Sequence, residues 1–246
     1  MKHAVARGLD GATYNDLLSG AVSALELSQR GDVTQMGLQQ WYDRNILPRV
    51  INLACSQGQI MKRRSQIVPL ASGEVFELGC GGGLNQEFYQ RTLVSSFSGI
   101  DPHVGLLDQA RAQALAKGWQ ADIRQGVGED IPFANSRFDT VVCTFTLCSV
   151  ENPAQVMSEM RRILKPGGRL LFLEHGRAPD AGVARWQDRI EPVWKHIGGG
   201  CHLTRPIGSA LRGAGFEVEP HGQGYLPKSP RPLGWNEWGV ARKVGA

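Results

Sequence analysis

From Glu74 onward the chain alternates short apolar runs with longer stretches in which apolar residues return every three or four positions. The runs "EVFEL", "FSGI", "DTVVCTF" and "RLLFLEH" have the length and composition of strands. Before the last of them, "AQVMSEMRRIL" sets Val156, Met160, Ile163 and Leu164 at i, i+4, i+7 and i+8, one apolar stripe of a helix that "KPGG" then ends. This alternation predicts an α/β fold, a parallel sheet covered by helices on both faces, and "GFEVE" with "EWGVARKV" predicts a closing pair of strands. Residues 33–66 carry apolar positions at Met36, Trp41, Ile46, Val50 and Leu53 and read as helical, with Pro48 kinking or dividing the segment. Residues 176–206 show no strand pattern and are rich in Trp, His, Arg and Gly, which suggests an insertion over the carboxyl ends of the strands, where open α/β sheets bind ligands. The expected division is a helical extension or lid over 1–66 and one domain over 67–246, with a cap at about 176–206.

Composition narrows the partners. The chain has 246 residues, 41% of them hydrophobic and 20% charged, enough for one substantial core. Its net charge of +4 is spread out, and the single tight basic cluster, Lys62, Arg63 and Arg64, reads as a solvated helix face, so no nucleic-acid partner is expected. Apolar runs such as "TVVCTFTLCSV" stop short of the roughly 18 residues a bilayer requires, so no stable membrane insertion is expected. "MKHAVARGLDGATYNDLL" lacks an apolar signal core, and a cytoplasmic setting follows as the expectation. Cys55, Cys80, Cys143, Cys148 and Cys201 are odd in number, with no CxxC and no Cys/His pair at zinc spacing. Reduced thiols are expected, with neither a disulfide framework nor a metal site.

The stretch "VFELGCGGGLNQEFY" carries the first chemistry. A strand runs into Gly79, Gly81 and Gly83, and "LNQEFYQRTL" reads as the helix after them. A dinucleotide fingerprint would be G-x-G-x-x-G; here the third glycine arrives one residue early and Leu84 holds the last position, which weakens a pyrophosphate reading. "FSGIDP" then puts Asp101 at the carboxyl end of the second strand, where an acid takes a ribose hydroxyl pair. With "GEDIPFANSRFDTVV" and "RRILKPGGRLLFLEH" in order behind it, the series from about residue 73 to 218 resembles the class I S-adenosylmethionine-dependent methyltransferases. The resemblance implies a Rossmann-like, mostly parallel seven-stranded sheet, S-adenosylmethionine as cofactor with S-adenosylhomocysteine as product, and no metal. It also implies that Glu77, Gly79, Cys80, Gly81 and Gly83 hold the methionine end, Asp101 and Pro102 the ribose, and Gly128 and Glu129 the adenine, while Thr144 begins the wall facing the methyl group. Val127 stands where the family often has an acid, so adenine is expected to rest on backbone groups or Glu129.

The segments "CTFTLCSV", "LFLEHG" and "IEPVWKHIGGGCHLTR" resemble the methyltransferase-like thiol S-methyltransferases, membrane-associated animal enzymes that methylate alkyl thiols and hydrogen sulfide. The likeness runs through Trp194, Lys195, His196, Cys201, Leu203, Thr204 and Arg205, in the cap and not in the cofactor core. It implies a small-molecule thiol as partner, hydrogen sulfide and methanethiol among them, giving methanethiol and dimethyl sulfide. N- or C-methylation of a lipid headgroup or quinone precursor is the alternative that such a core also serves. A thiolate is already a strong nucleophile, with a thiol pKa near about 8.5, so the enzyme mainly has to orient it in a dry pocket and favour its ionised form. Candidate helpers are His175, His196, Arg205 and Tyr42; candidate pocket walls are Tyr42, Cys148, Trp186, Trp194 and His202. Each also has a structural reading: Arg205 tying the cap to Glu174 or Glu191, the tryptophans packing cap on core, Cys148 a buried thiol. Monomer and homodimer both stay open.

Overall fold

The computed structural model describes residue 37 and residues 46–244. Most of the expected lid, with Trp41 and the candidate Tyr42, lies outside the described residues. Two helices come first, α1 (Leu47–Cys55) and α2 (Gly58–Ile67), followed by β1 (Gly73–Leu78), β2 (Val94–Asp101), α3 (Val104–Ala116), β3 (Asp122–Gln125) and β4 (Phe138–Thr144). The chain continues through α4 (Pro153–Ile163), β5 (Leu164–His175), α5 (Ala181–Ile197), α6 (Ile207–Gly213), β6 (Phe216–Tyr225), the short α7 (Arg231–Gly234) and β7 (Trp235–Lys243). The strands form one sheet in the order β3-β2-β1-β4-β5-β7-β6. β1 to β5 are parallel, and β7 runs antiparallel to both of its neighbours. This is the Rossmann-like, mostly parallel seven-stranded architecture that the methyltransferase resemblance implies.

The apolar runs are continuous because the central strands are buried on both faces. Phe76, Val141 and Leu170 join the core on one face, with α4 contributing Val156, Met160 and Ile163; Val75, Val142 and Leu171 join the core on the other, with Leu107 and Ala110 of α3. Burying each such side chain contributes about 1.5–3 kcal/mol. α4 starts as its sequence asks: Asn152 caps it by accepting the Gln155 N–H, and Pro153 takes the first helical position. Strand order reverses between β1 and β4, so their carboxyl ends open the crevice in which such sheets bind ligands.

Three local readings differ. The helix expected over "LNQEFYQRTL" is only a 3₁₀ turn at Gln86–Phe88. Its side chains are drawn inward, Asn85 and Tyr89 to Glu77 and Gln86 to the Trp119 indole, which a solvent-facing helix would not allow. The helical stretch before β1 divides at Ser56 and Gln57, with Pro48 tolerated in the first turn of α1. Arg63 and Arg64, read as a solvated face, are 9% and 4% exposed. They lie between Ile60 and Ile67 on the face of α2 that packs on β5 and β7.

Candidate active site

Gly79 and Gly81 shape the turn that leaves β1. Both are left-handed, at φ +70° and +49°. A Cβ on Gly79 would stand 2.1 Å from Thr146 Oγ1, so the turn can pack against the loop after β4 only without one. Among the described residues a Cβ on Gly81 would meet no atom within 4 Å; it would project into open space beyond the carboxyl end of β1. Beside that space Asp101, 6% exposed, ends β2. Its Oδ2 accepts the Gly81 N–H at 2.8 Å and its Oδ1 accepts the His103 N–H at 2.8 Å, with His103 Nδ1 at 3.2 Å. Backbone donors thus fix the carboxylate while Oδ2, which can accept two hydrogen bonds, takes one among the described residues. Pro102 is exposed and Cys80 is buried, its thiol pushed up by burial, so Cys80 lines the turn through its backbone. Gly128 is buried against Val156 and Leu78, and Glu129 accepts the Asn152 N–H at 3.0 Å, which ties the loop after β3 to the start of α4.

Beneath the turn lies a polar network out of contact with water. Glu77, 2% exposed, accepts from Asn85 Nδ2 at 2.9 Å and from the Tyr89 hydroxyl at 2.8 Å. Burial pushes its carboxyl up to about 7, against the opposing pull of Tyr89, Arg64 and Asn85. Arg64 reaches in from α2 and donates to Asn85 Oδ1 and Thr144 Oγ1, both at 2.6 Å. Thr144 also accepts from Asn85 Nδ2 at 3.0 Å. Arg64, Asn85 and Tyr89 were not among the sequence candidates. The signal for Arg64 was its place at i+4 from Ile60 and i−3 from Ile67, on an apolar face.

The carboxyl ends of β4 and β5 meet the segment after α5. Glu174, fully buried, accepts three successive backbone N–H groups, of Thr146, Leu147 and Cys148, at 3.0–3.1 Å. His202 N donates to the Cys148 carbonyl at 2.7 Å, and Arg205 donates to the carbonyls of Leu147 and Val150 at 2.6 and 2.7 Å. Arg205 therefore ties the cap to the loop after β4 through carbonyls, where Glu174 or Glu191 had been the expected partner. The result brings Cys201 Sγ to 3.7 Å from Cys148 Sγ and 3.5 Å from His175 Nδ1. Phe145 packs edge-on against the His175 ring at 4.9 Å. The Cys148 hydrogen bond, then His175, hold the Cys201 thiol well below its ordinary range; burial works against the His175 imidazolium, but the Cys201 sulfur carries its pKa above the ordinary value. Trp194 packs against this cluster. His202 pairs with Glu191 at 2.8 Å, while His196 is exposed on α5 and Trp186 is 56% exposed beneath Arg189.

A methyltransferase domain model matches residues 76–172. Human thiol S-methyltransferase TMT1B is 39% identical over 173 residues, 67% of this chain and 67% of that protein. The human thiol S-methyltransferase TMT1A is 31% identical over 65% of this chain and 72% of its own length. The chain belongs to the thiol S-methyltransferase family. The [4+2]-cyclase SpnF matches the fold with a TM-score of 0.60 at 18% identity, over 85% of this chain and 96% of that one. Such a likeness carries the fold alone, and the family assignment rests on the sequence relatives. This member of the family is an S-adenosylmethionine-dependent methyltransferase, and its donors suit that cofactor: an open space above Gly81, a fixed carboxylate at Asp101 and a buried acid at Glu77. Among the described residues no helix is long and apolar enough to cross a membrane.

Proposed function

We propose that this enzyme methylates the sulfur of small thiols, hydrogen sulfide and methanethiol among them, in a cytoplasmic setting that keeps its five cysteines reduced. The observation that carries the reading is the 39% identity to a protein named for thiol S-methylation, together with a acceptor side built of sulfur and imidazole. S-adenosylmethionine would supply a methyl carbon on a sulfonium, which a thiolate lone pair takes in line as the old carbon–sulfur bond breaks toward the donor sulfur.

The chain's own residues would hold and orient the reactants. Asp101 fits the ribose hydroxyls, the backbone from Gly79 to Gly83 the methionine end, and Gly128 with Glu129 the adenine. Glu77 supports the turn through Asn85 and Tyr89, and Thr144, held by Arg64, would begin the wall that faces the methyl group. His175, beside a sulfur and half-buried, is suited to accept a thiol proton. The test is a headspace and liquid assay of purified protein with S-adenosylmethionine against sulfide, methanethiol, larger thiols, an amine and a phenol. Methylated sulfur products matched by S-adenosylhomocysteine are expected; turnover on the amine or phenol alone would overturn the thiol reading and leave the cofactor assignment standing.

A further inference from the structure

We propose that Cys148, His175 and Cys201 form a zinc site whose fourth position takes the acceptor thiol. The proposal rests on the thiol reading above, adds the group that would bind the sulfur, and makes His175 a ligand of that group in place of the proton acceptor. The three side chains stand at residues 148, 175 and 201, so no local spacing announces them, but their ligand atoms lie within 4.8 Å of one another. Tetrahedral zinc, with Zn–S of about 2.3 Å and Zn–N of about 2.0–2.1 Å, sets two sulfurs about 3.8 Å apart and a sulfur and nitrogen about 3.5 Å apart. The corresponding distances here are 3.7 Å between the sulfurs and 3.5 Å from Cys201 Sγ to His175 Nδ1. Two of the three ligand–ligand distances thus match those around tetrahedral zinc, and the third, Cys148 Sγ to His175, lies within 4.8 Å.

The surroundings fit as well. Cys148 and Cys201 are 1% and 5% exposed, and two backbone ties hold them in place: His202 N to the Cys148 carbonyl, and the Glu174 carboxylate to the Cys148 N–H. Such outer partners orient the ligands of metal sites. Two thiolates and an imidazole suit a borderline-soft cation and not a hard one. Among the described residues the set has three members, which is the count of a zinc site that keeps one position open for a reactant. A thiol entering that position would lose its proton to solvent and keep its electron pair on sulfur, bound as the thiolate the reaction needs.

The test begins with reduced full-length protein, stripped by a chelator, desalted and titrated with Co(II) under nitrogen. About one equivalent should bind, with the visible bands of tetrahedral cobalt and the near-ultraviolet charge transfer of cobalt–thiolate bonds, and zinc should displace it. Cys148→Ser and Cys201→Ser should each lose the charge transfer while keeping S-adenosylhomocysteine binding. Zinc-edge X-ray absorption on wild-type protein, which needs no variant to fold, should count two sulfurs and one nitrogen from the chain and a further sulfur once methanethiol is added. No stoichiometric cobalt or zinc, or binding that survives both cysteine changes, overturns the site. Thiol methylation at an unchanged rate in chelator overturns the metal's part and leaves the thiol reading intact. Bound zinc with no added sulfur, in a protein that methylates only oxygen or nitrogen, overturns thiol capture itself.

Discussion

Glu77 is an acid held out of water by the fold, and that gives it a signature in pH. Its carboxyl stands at about 7 in the folded protein against an ordinary 4.5, because burial outweighs the donors Tyr89 and Asn85 and the Arg64 charge. The folded state therefore keeps this proton to higher pH than the unfolded chain does. The stability tied to it is complete below about pH 4.5 and is lost as pH rises through about 7, an effect on the order of 3 kcal/mol. Glu77→Gln keeps a carbonyl acceptor and removes the titration, so its melting temperature relative to wild type should climb between about pH 5 and about pH 8. Parallel melting curves for the two proteins across that range would sink the assignment. Arg64 is the other half of the network. Arg64→Met leaves Asn85 Oδ1 without its donor and Glu77 without its nearest cation, and should cost about 3–5 kcal/mol in urea unfolding. A loss below about 1 kcal/mol would mean that the guanidinium does not bind the network together.

At the scale of elements, the turn after β1 separates folding from binding. Gly79→Ala strains a left-handed residue and drives a Cβ into Thr146, whose N–H is fixed by Glu174, so it should lower unfolding free energy by about 1–3 kcal/mol. Gly81→Ala meets only open space; it should cost about 1–2 kcal/mol at most for its backbone, yet weaken S-adenosylhomocysteine binding by calorimetry at least about tenfold. If Gly81→Ala binds as wild type does, the open space is not where the ligand sits. That turn was legible in the sequence because glycines at left-handed positions have few substitutes, and β1, β4 and β5 were legible because two-sided burial writes continuous apolar runs. β3 was missed: it is four residues long at the sheet's edge with Ile123 alone buried, too short to show a period. The helix expected after the glycines was lost to the inward pull of Asn85, Gln86 and Tyr89, a tertiary demand that no local propensity expresses. The Cys148, His175 and Cys201 cluster was invisible for a related reason: the loop after β4, the end of β5 and the cap each contribute one residue, and only the parallel sheet brings the strand ends side by side.

Across the whole molecule, neighbouring arginines on α2 join the front of the described chain to two different parts of the sheet. Arg64 enters the centre at β1 and β4, whereas Arg63 goes to the far edge. Arg63 donates to the carbonyls of Gly224 and Tyr225 at 3.0 and 2.8 Å and to Asn236 Oδ1 at 2.8 Å, and its guanidinium lies 4.6 Å from the Trp238 ring. β6 and β7 are the last strands of the sheet, added beyond β5 by an antiparallel pairing, and β6 is largely exposed. Arg63 is thus a clamp on the least buried part of the sheet, and its removal should loosen that part selectively. In Arg63→Ala, amide exchange should quicken around Gly224, Tyr225 and Asn236 and along α2, while β1, β2 and β4 keep their protection and S-adenosylhomocysteine affinity changes by less than about twofold. Exchange that quickens evenly through the central strands would show that α2 supports the whole sheet as one cooperative unit; exchange unchanged at β6 and β7 would show that the antiparallel edge holds without the clamp.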